Sequence, residues 1–161
     1  MKIRMIAAVS IAAATMLPLA AIAHADPTTT TYWIKSPSAN IACILTEVSF
    51  SGTDEYGQAN CDVADHTWAA PPLPPDCHFP HEPVFVLASR SLISSGQPAA
   101  LDQCHAGNTS IYRSPSLQTL DYGHTRSVGA ITCDSAPAGI TCTDSSSGHF
   151  FRMSRDSYQL G

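Results

Sequence analysis

Two groups of side chains in this sequence combine residue types that could do chemistry. His149 and Ser154, with a carboxylate from Asp121 or Asp156, supply the parts of a hydrolytic triad. Such a set works when an imidazole takes the serine proton and a carboxylate orients the imidazole. No Gly-x-Ser-x-Gly occurs in the chain, so the serine lacks the strained elbow that exposes a hydrolase nucleophile. In a serine-rich chain such a coincidence follows from composition, which makes His149 and Ser154 weak catalytic candidates. The second group is Cys77-His78-Phe79-Pro80-His81-Glu82, which offers a thiolate, two imidazoles and a carboxylate. It lacks the second Cys or His pair of a zinc site, and Pro80 and Pro83 stiffen it. His78, His81 and Glu82 are therefore weak metal candidates, and no metal or cofactor is expected. Asp62-Val63-Ala64-Asp65-His66 also carries metal-friendly groups but reads as a solvated loop.

The elements that must position these residues begin after an export signal. Lys2 and Arg4 precede an alanine-rich apolar run from Met5 to Ile22, and Ala23-His24-Ala25 puts small residues where a signal peptidase inspects them. Cleavage is expected after Ala25. Pro18, the alanine dilution and the missing basic flank argue against a stable membrane anchor. The chain carries a net charge of −5 at pH 7, and loss of Lys2 and Arg4 makes the mature part more acidic still. Without a Lys and Arg cluster, nucleic acid and anionic membrane surfaces are excluded as partners.

All six cysteines, Cys43, Cys61, Cys77, Cys104, Cys133 and Cys142, follow the signal. An even set in an exported chain reads as a disulfide framework, although sequence alone leaves its connectivity open. Ile131-Thr132-Cys133 and Ile140-Thr141-Cys142 are matching β-type triplets. A hairpin with a four-residue loop, Ala136 to Gly139, would set Cys133 opposite Cys142 at disulfide reach. The other four pair most simply as neighbours, Cys43–Cys61 and Cys77–Cys104. Each bridge would contribute roughly 3 kcal/mol by loop entropy.

Strand signals dominate the mature chain. Residues 26–31 read as a polar lead-in, and 32–161 as one β-rich domain. Strands are expected at Trp33-Ile34, Asn40 to Leu45, Val84 to Leu87, Leu117, Leu120 to Tyr122, Val128 to Cys133, Ile140 to Thr143 and His149 to Met153. Ser36-Pro37-Ser38 and Asn40 should shape a turn through side-chain-to-backbone hydrogen bonds. Further turns are expected at Ser51 to Asp54, at Tyr56-Gly57 and around Cys104 from Asp102 to Asn108. Ala69 to Asp76 contains Pro71, Pro72, Pro74 and Pro75, so it must be extended and cannot lie inside a sheet. Ser89 to Gln103 has room for a short helix, interrupted by Gly96 and Pro98. The expected fold class is mainly β, a small disulfide-stapled antiparallel sandwich or barrel-like domain of about seven strands.

Ser36-Pro37-Ser38-Ala39-Asn40-Ile41-Ala42-Cys43 resembles the opening SPSxNIxC element of a family of small exported actinobacterial proteins of unknown function, many mycobacterial. The similarity continues through Trp68 and the proline-rich stretch to Cys77. It resumes at Leu120-Asp121-Tyr122-Gly123, at the two Ile-Thr-Cys triplets, and at Gly148-His149-Phe150-Phe151 with Ser154-Arg155. Family members often carry glycine at the positions of Ala39 and Ala42, and a second glycine after His149, where Phe150 stands here. The resemblance implies secretion and marks Ser36, Pro37, Ser38, Asn40, Gly148, His149, Ser154 and Arg155, without implying an activity.

Two function classes follow. The first is a non-enzymatic secreted module binding a cell-envelope component or another secreted protein, with Trp33, Trp68, Tyr32 and Phe79 available to line a groove. A protease inhibitor using the Ala69 to Asp76 loop is its variant. The second is a small extracellular hydrolase or metal-dependent enzyme acting on envelope material through His149, or through His78 and His81.

Overall fold

The computed structural model describes residues 26–50, 55–78, 80–89, 99–104 and 111–161, without the side chains of Glu55, Pro80, His81 and Arg113. The signal segment, Ser51 to Asp54, Phe79, the interruption at Gly96 and Pro98, and the part of the turn expected after Cys104 lie outside the described residues. Five strands meander in sequence order: β1 (Thr28–Lys35), β2 (Ile41–Ser49), β3 (Glu55–Val63), β4 (Pro80–Ala88) and β5 (Ala99–Cys104). The short β6 (Gln118–Thr119) adds to the free edge of β1 as a parallel partner, which completes a six-stranded sheet. A second meander forms a five-stranded antiparallel sheet from β7 (Thr125–Val128), β8 (Ile131–Ala136), β9 (Gly139–Asp144), β10 (Phe150–Met153) and β11 (Tyr158–Leu160).

The period-two alternation of each strand decides which side chains go inside. Ile41, Cys43 and Leu45 of β2, Ala59 and Cys61 of β3, and Phe85 and Leu87 of β4 are buried from the first sheet. Ile131 and Cys133 of β8, Ile140 and Cys142 of β9, and Phe151 and Met153 of β10 are buried from the second. These side chains form one continuous cluster, with β4 packed on β9 and β10, β2 on β7, and β3 on β8. The domain is therefore a two-sheet sandwich. At its centre Phe85 meets Phe151 at 5.7 Å and Tyr158 at 5.6 Å between ring centroids, within the range of favourable aromatic pairs.

The cysteines pair sequentially as Cys43–Cys61, Cys77–Cys104 and Cys133–Cys142. Two of these bridges link directly opposed residues, Cys43↔Cys61 across β2 and β3 and Cys133↔Cys142 across β8 and β9.

Several local expectations are corrected. The β8–β9 hairpin pairs Ala136 with Gly139, so its loop is the two residues Pro137-Ala138 rather than four. Gly139 makes that turn possible: its φ is +129°, and a side chain there would collide with the Met153 carbonyl. Thr28 to Thr31 form the exposed first half of β1. Tyr56-Gly57 lies in β3, where Gly57 lets the two sheets approach, since a Cβ would stand 2.6 Å from the Val128 carbonyl oxygen. Asp102 to Cys104 are strand rather than turn, and Ala99 to Gln103 is strand rather than helix. Val128 to Cys133 is broken by a turn at Gly129-Ala130. Leu120 to Tyr122 lies outside any strand. Pro83 sits in β4 where its register against β5 shifts, the kind of irregularity that admits a proline.

Candidate functional site

His149 and Ser154 flank opposite ends of β10, which separates them by roughly 15 Å along the strand. No triad can form across that distance. His149 belongs to the β9–β10 turn, where its carbonyl accepts the Asp144 amide at 2.8 Å. That turn is organised by the buried Asp144 carboxylate, which accepts from the hydroxyls of Ser146 and Ser147 at 2.7 Å each, while Gly148 turns the chain at φ +80°. Ser154 is likewise committed. Its hydroxyl donates to the Ser157 carbonyl at 3.0 Å and accepts the amides of Asp156 and Ser157 at 3.2 and 3.0 Å. Cys77 is consumed by its disulfide, so it offers His78, His81 and Glu82 no thiolate. Among the described residues no three metal-ligating side chains converge.

The structure does bring together the opening and closing motifs. Ser36, Ser38, Asn40 and Ile41 line a cleft of about 440 Å³ with Ser154, Arg155 and Asp156. Its other walls are Asp65, the exposed Tyr122 and the β8–β9 turn.

Each wall has a local cause. Pro37 fits the second position of a turn closed by the Ala39 amide on the Ser36 carbonyl at 2.9 Å. The buried Ser36 hydroxyl accepts the Ile41 amide at 3.2 Å and shares a 3.0 Å hydrogen bond with Ser38. This is the side-chain-built turn the sequence implied. The Asn40 amide group uses both its functions on Asp65: its nitrogen donates to the Asp65 carbonyl and its oxygen accepts the Asp65 amide, each at 2.9 Å. Arg155 then donates from Nε to the Asp65 carboxylate at 3.0 Å, and its carbonyl accepts the Thr67 amide at 2.9 Å. The Trp68 indole N–H donates to the Ser154 carbonyl at 3.1 Å. Both partners of the ion pair are exposed, so it contributes well under about 1 kcal/mol and chiefly fixes orientation.

Behind this wall lies a polar arrangement that the sequence did not suggest. The Tyr112 hydroxyl donates to the carbonyls of Asn40 and Asp62 at 2.8 and 2.9 Å. It thereby clips the turn Ile111–Arg113 onto the outer face of β2 and β3. Asp62 belongs to β3 instead of a solvated loop, and one of its carboxyl oxygens is buried without a hydrogen-bond partner. Burial pushes its carboxyl from the ordinary 3.8 up to about 7. Burial, and then the neighbouring Asp62 charge, hold the Tyr112 hydroxyl above its ordinary range.

The cleft offers Arg155 as a cation, Asp65 and Asp156 as acceptors and Tyr122 as an exposed ring. Among its described lining residues there is no histidine. This is equipment for holding a polar ligand. Of the aromatics expected to line a groove, Trp68 instead stacks on His66 at 3.8 Å and packs edge-on against Phe85 and Tyr158 at the core margin. Tyr32 carries the Arg126 guanidinium 4.7 Å above its ring. In the sequence Asp62 and Asp65 belong to a metal-friendly cluster with the look of a solvated loop, and Tyr112 carries no motif at all. The chain matches no protein-family model, no curated protein and no solved structure.

Proposed function

We propose that this chain is an exported, non-enzymatic binding module whose ligand seats in the cleft between the Ser36–Asn40 turn and the β10–β11 turn. One observation carries the reading: segments far apart in the chain, 36–41, 65, 122, 136–139 and 154–156, converge on one concave surface. Fixed polar groups around a concavity of several hundred Å³ are the usual form of a small-ligand or side-chain binding site. The preorganising bonds from Asn40 and Arg155 to Asp65 support it, because groups already held in place lose less entropy on binding. Export is supported by the signal-like first 25 residues and by three disulfides, which persist in oxidising compartments. A cell-envelope component or another secreted protein is the partner class that such a location offers.

The test is retention from culture filtrate by the immobilised mature protein, compared with Arg155→Ala and Tyr122→Ala. Both side chains are exposed, so the variants should fold with unchanged Tm. A retained species lost in both variants supports the cleft. Identical retention by all three proteins refutes it.

A further inference from the structure

We propose that Ala69 to Asp76 is a second, separate docking element, presented in polyproline II form to an aromatic-lined groove on another protein. Val63 and Pro80 end and begin adjacent antiparallel strands. Their connection is longer than the ~12–15 residues beyond which unstructured loops in compact domains are usually functional. Yet this loop is tightly held. Trp68 anchors its start through the Ser154 carbonyl and its contacts with Phe85 and Tyr158. Gln103 donates from its side-chain amide to the Pro71 carbonyl at 3.1 Å. The Cys77 amide closes a turn on the Pro74 carbonyl at 3.0 Å, and the disulfide to Cys104 ties the end to β5.

Between these anchors Pro71, Pro72, Leu73, Pro74 and Pro75 are all exposed, and Leu73 retains 46% of its surface. Proline rings fix φ near −65°, and each residue before a proline is driven to extended ψ. These requirements fix φ at the four prolines and hold Ala70, Pro71, Leu73 and Pro74 extended, which favours polyproline II geometry over the stretch. The spacing places prolines at 71 and 74 and again at 72 and 75, the P-x-x-P pattern that aromatic grooves read.

The prolines also disfavour strand-like docking of this loop on a protease. Docking along an enzyme as an added strand needs backbone N–H donors, and residues 71, 72, 74 and 75 have none. Polyproline recognition requires no such donors. It uses ring edges, carbonyls and an apolar side chain between the prolines, and Leu73 fills that position. Asp76 is the one charged residue between Trp68 and Cys77, so the matching groove is aromatic and its rim neutral or basic.

The experiment adds the intact mature protein to isotope-labelled SH3-type and WW-type domains as aromatic-groove probes, with amide shifts read by NMR. Shifts confined to the probe's groove are expected, weakened about tenfold or more by Leu73→Ala. The same loss is expected for Pro71→Ala combined with Pro74→Ala, and none for Arg155→Ala, which separates this element from the cleft. Leu73→Ala and Arg155→Ala, both at exposed positions, should leave Tm unchanged, and the double proline variant should lower it by only a few degrees. The proposal is overturned if neither probe shifts at millimolar protein, or if Leu73→Ala binds as well as the parent. Inhibition of a secreted protease that Leu73→Ala abolishes would overturn it in favour of enzyme docking.

Discussion

Two of the three disulfides lie inside the sandwich and the third lies at the base of the proline loop. Cys43, Cys61, Cys133 and Cys142 are fully buried and belong to the core cluster. Cys77 and Cys104 are half-buried and join a loop to an edge strand. Loop entropy alone ranks them the other way. The outer bridge closes the longest loop, with a sequence separation of 27 against 18 and 9. The entropic advantage of 27 over 9 is only about 1 kcal/mol. Truncating two fully buried side chains costs more, about 2 kcal/mol or above, because a cavity remains. Burial wins, and the inner bridges act as core while the outer one positions a surface element.

The sharpest way to break that comparison is to remove one bridge of each kind. Cys133→Ala with Cys142→Ala should cost about 3–5 kcal/mol and lower Tm by on the order of 10 °C, measured by calorimetry under non-reducing conditions. Cys77→Ser with Cys104→Ser should cost about 2–4 kcal/mol while weakening groove-probe binding by tenfold or more. A larger stability loss from the outer pair would mean that loop length, not burial, sets the ranking.

Asp62 extends the contrast to a side chain whose burial works against the fold. Its carboxyl is raised by desolvation from 3.8 to about 7, so between those values the folded state binds a proton that the unfolded state has released. Stability should be fully present below about pH 4, fall as pH rises toward 7, and level off above. Asp62→Asn removes that dependence. It should raise Tm at pH 8 by a few degrees, on the order of 1 kcal/mol after allowing for screening of a partly exposed group, and change little at pH 4. Equal Tm values for both proteins at pH 8 would show that the buried carboxylate carries no penalty.

The smallest expected effect concerns the cleft's first turn. Ala39 has φ +57°, the only positive φ among the described non-glycine residues. Ala39→Gly relieves a left-handed cost of about 1–2 kcal/mol but adds about 0.5–1 kcal/mol of chain entropy. Chemical denaturation should therefore register a net gain of about 0–1.5 kcal/mol. A loss would mean that the turn is held without strain.

Much of this fold was legible locally. The matching triplets around Cys133 and Cys142 announced a hairpin, and the proline run announced an irregular exposed loop, because both signals act within a few residues. The turn at Ser36 to Asn40 was legible for the same reason. Tyr56-Gly57 misled, since a glycine needed for the close approach of two sheets looks like a glycine needed for a turn. The strand at Asp102 to Cys104 was hidden because it is short, lies at an edge and alternates weakly. The candidate site was partly visible: Ser36, Ser38, Asn40, Ser154 and Arg155 stood out as motif residues. Their joining through Asp65, and the place of Tyr122 beside them, depended on contacts across many residues.

The sequence by itself determined the β class, the disulfide framework with Cys133–Cys142 as its surest pair, and the rigidity of the proline loop. Each rests on short-range geometry: strand period, opposed Cβ atoms and fixed proline φ. Only the tertiary structure decided that two sheets stack as a sandwich, that His149 and Ser154 stand at opposite ends of one strand, and that the first and last motifs share a cleft. Those outcomes depend on which strands pair and which faces are buried, and no local pattern of residues encodes that choice.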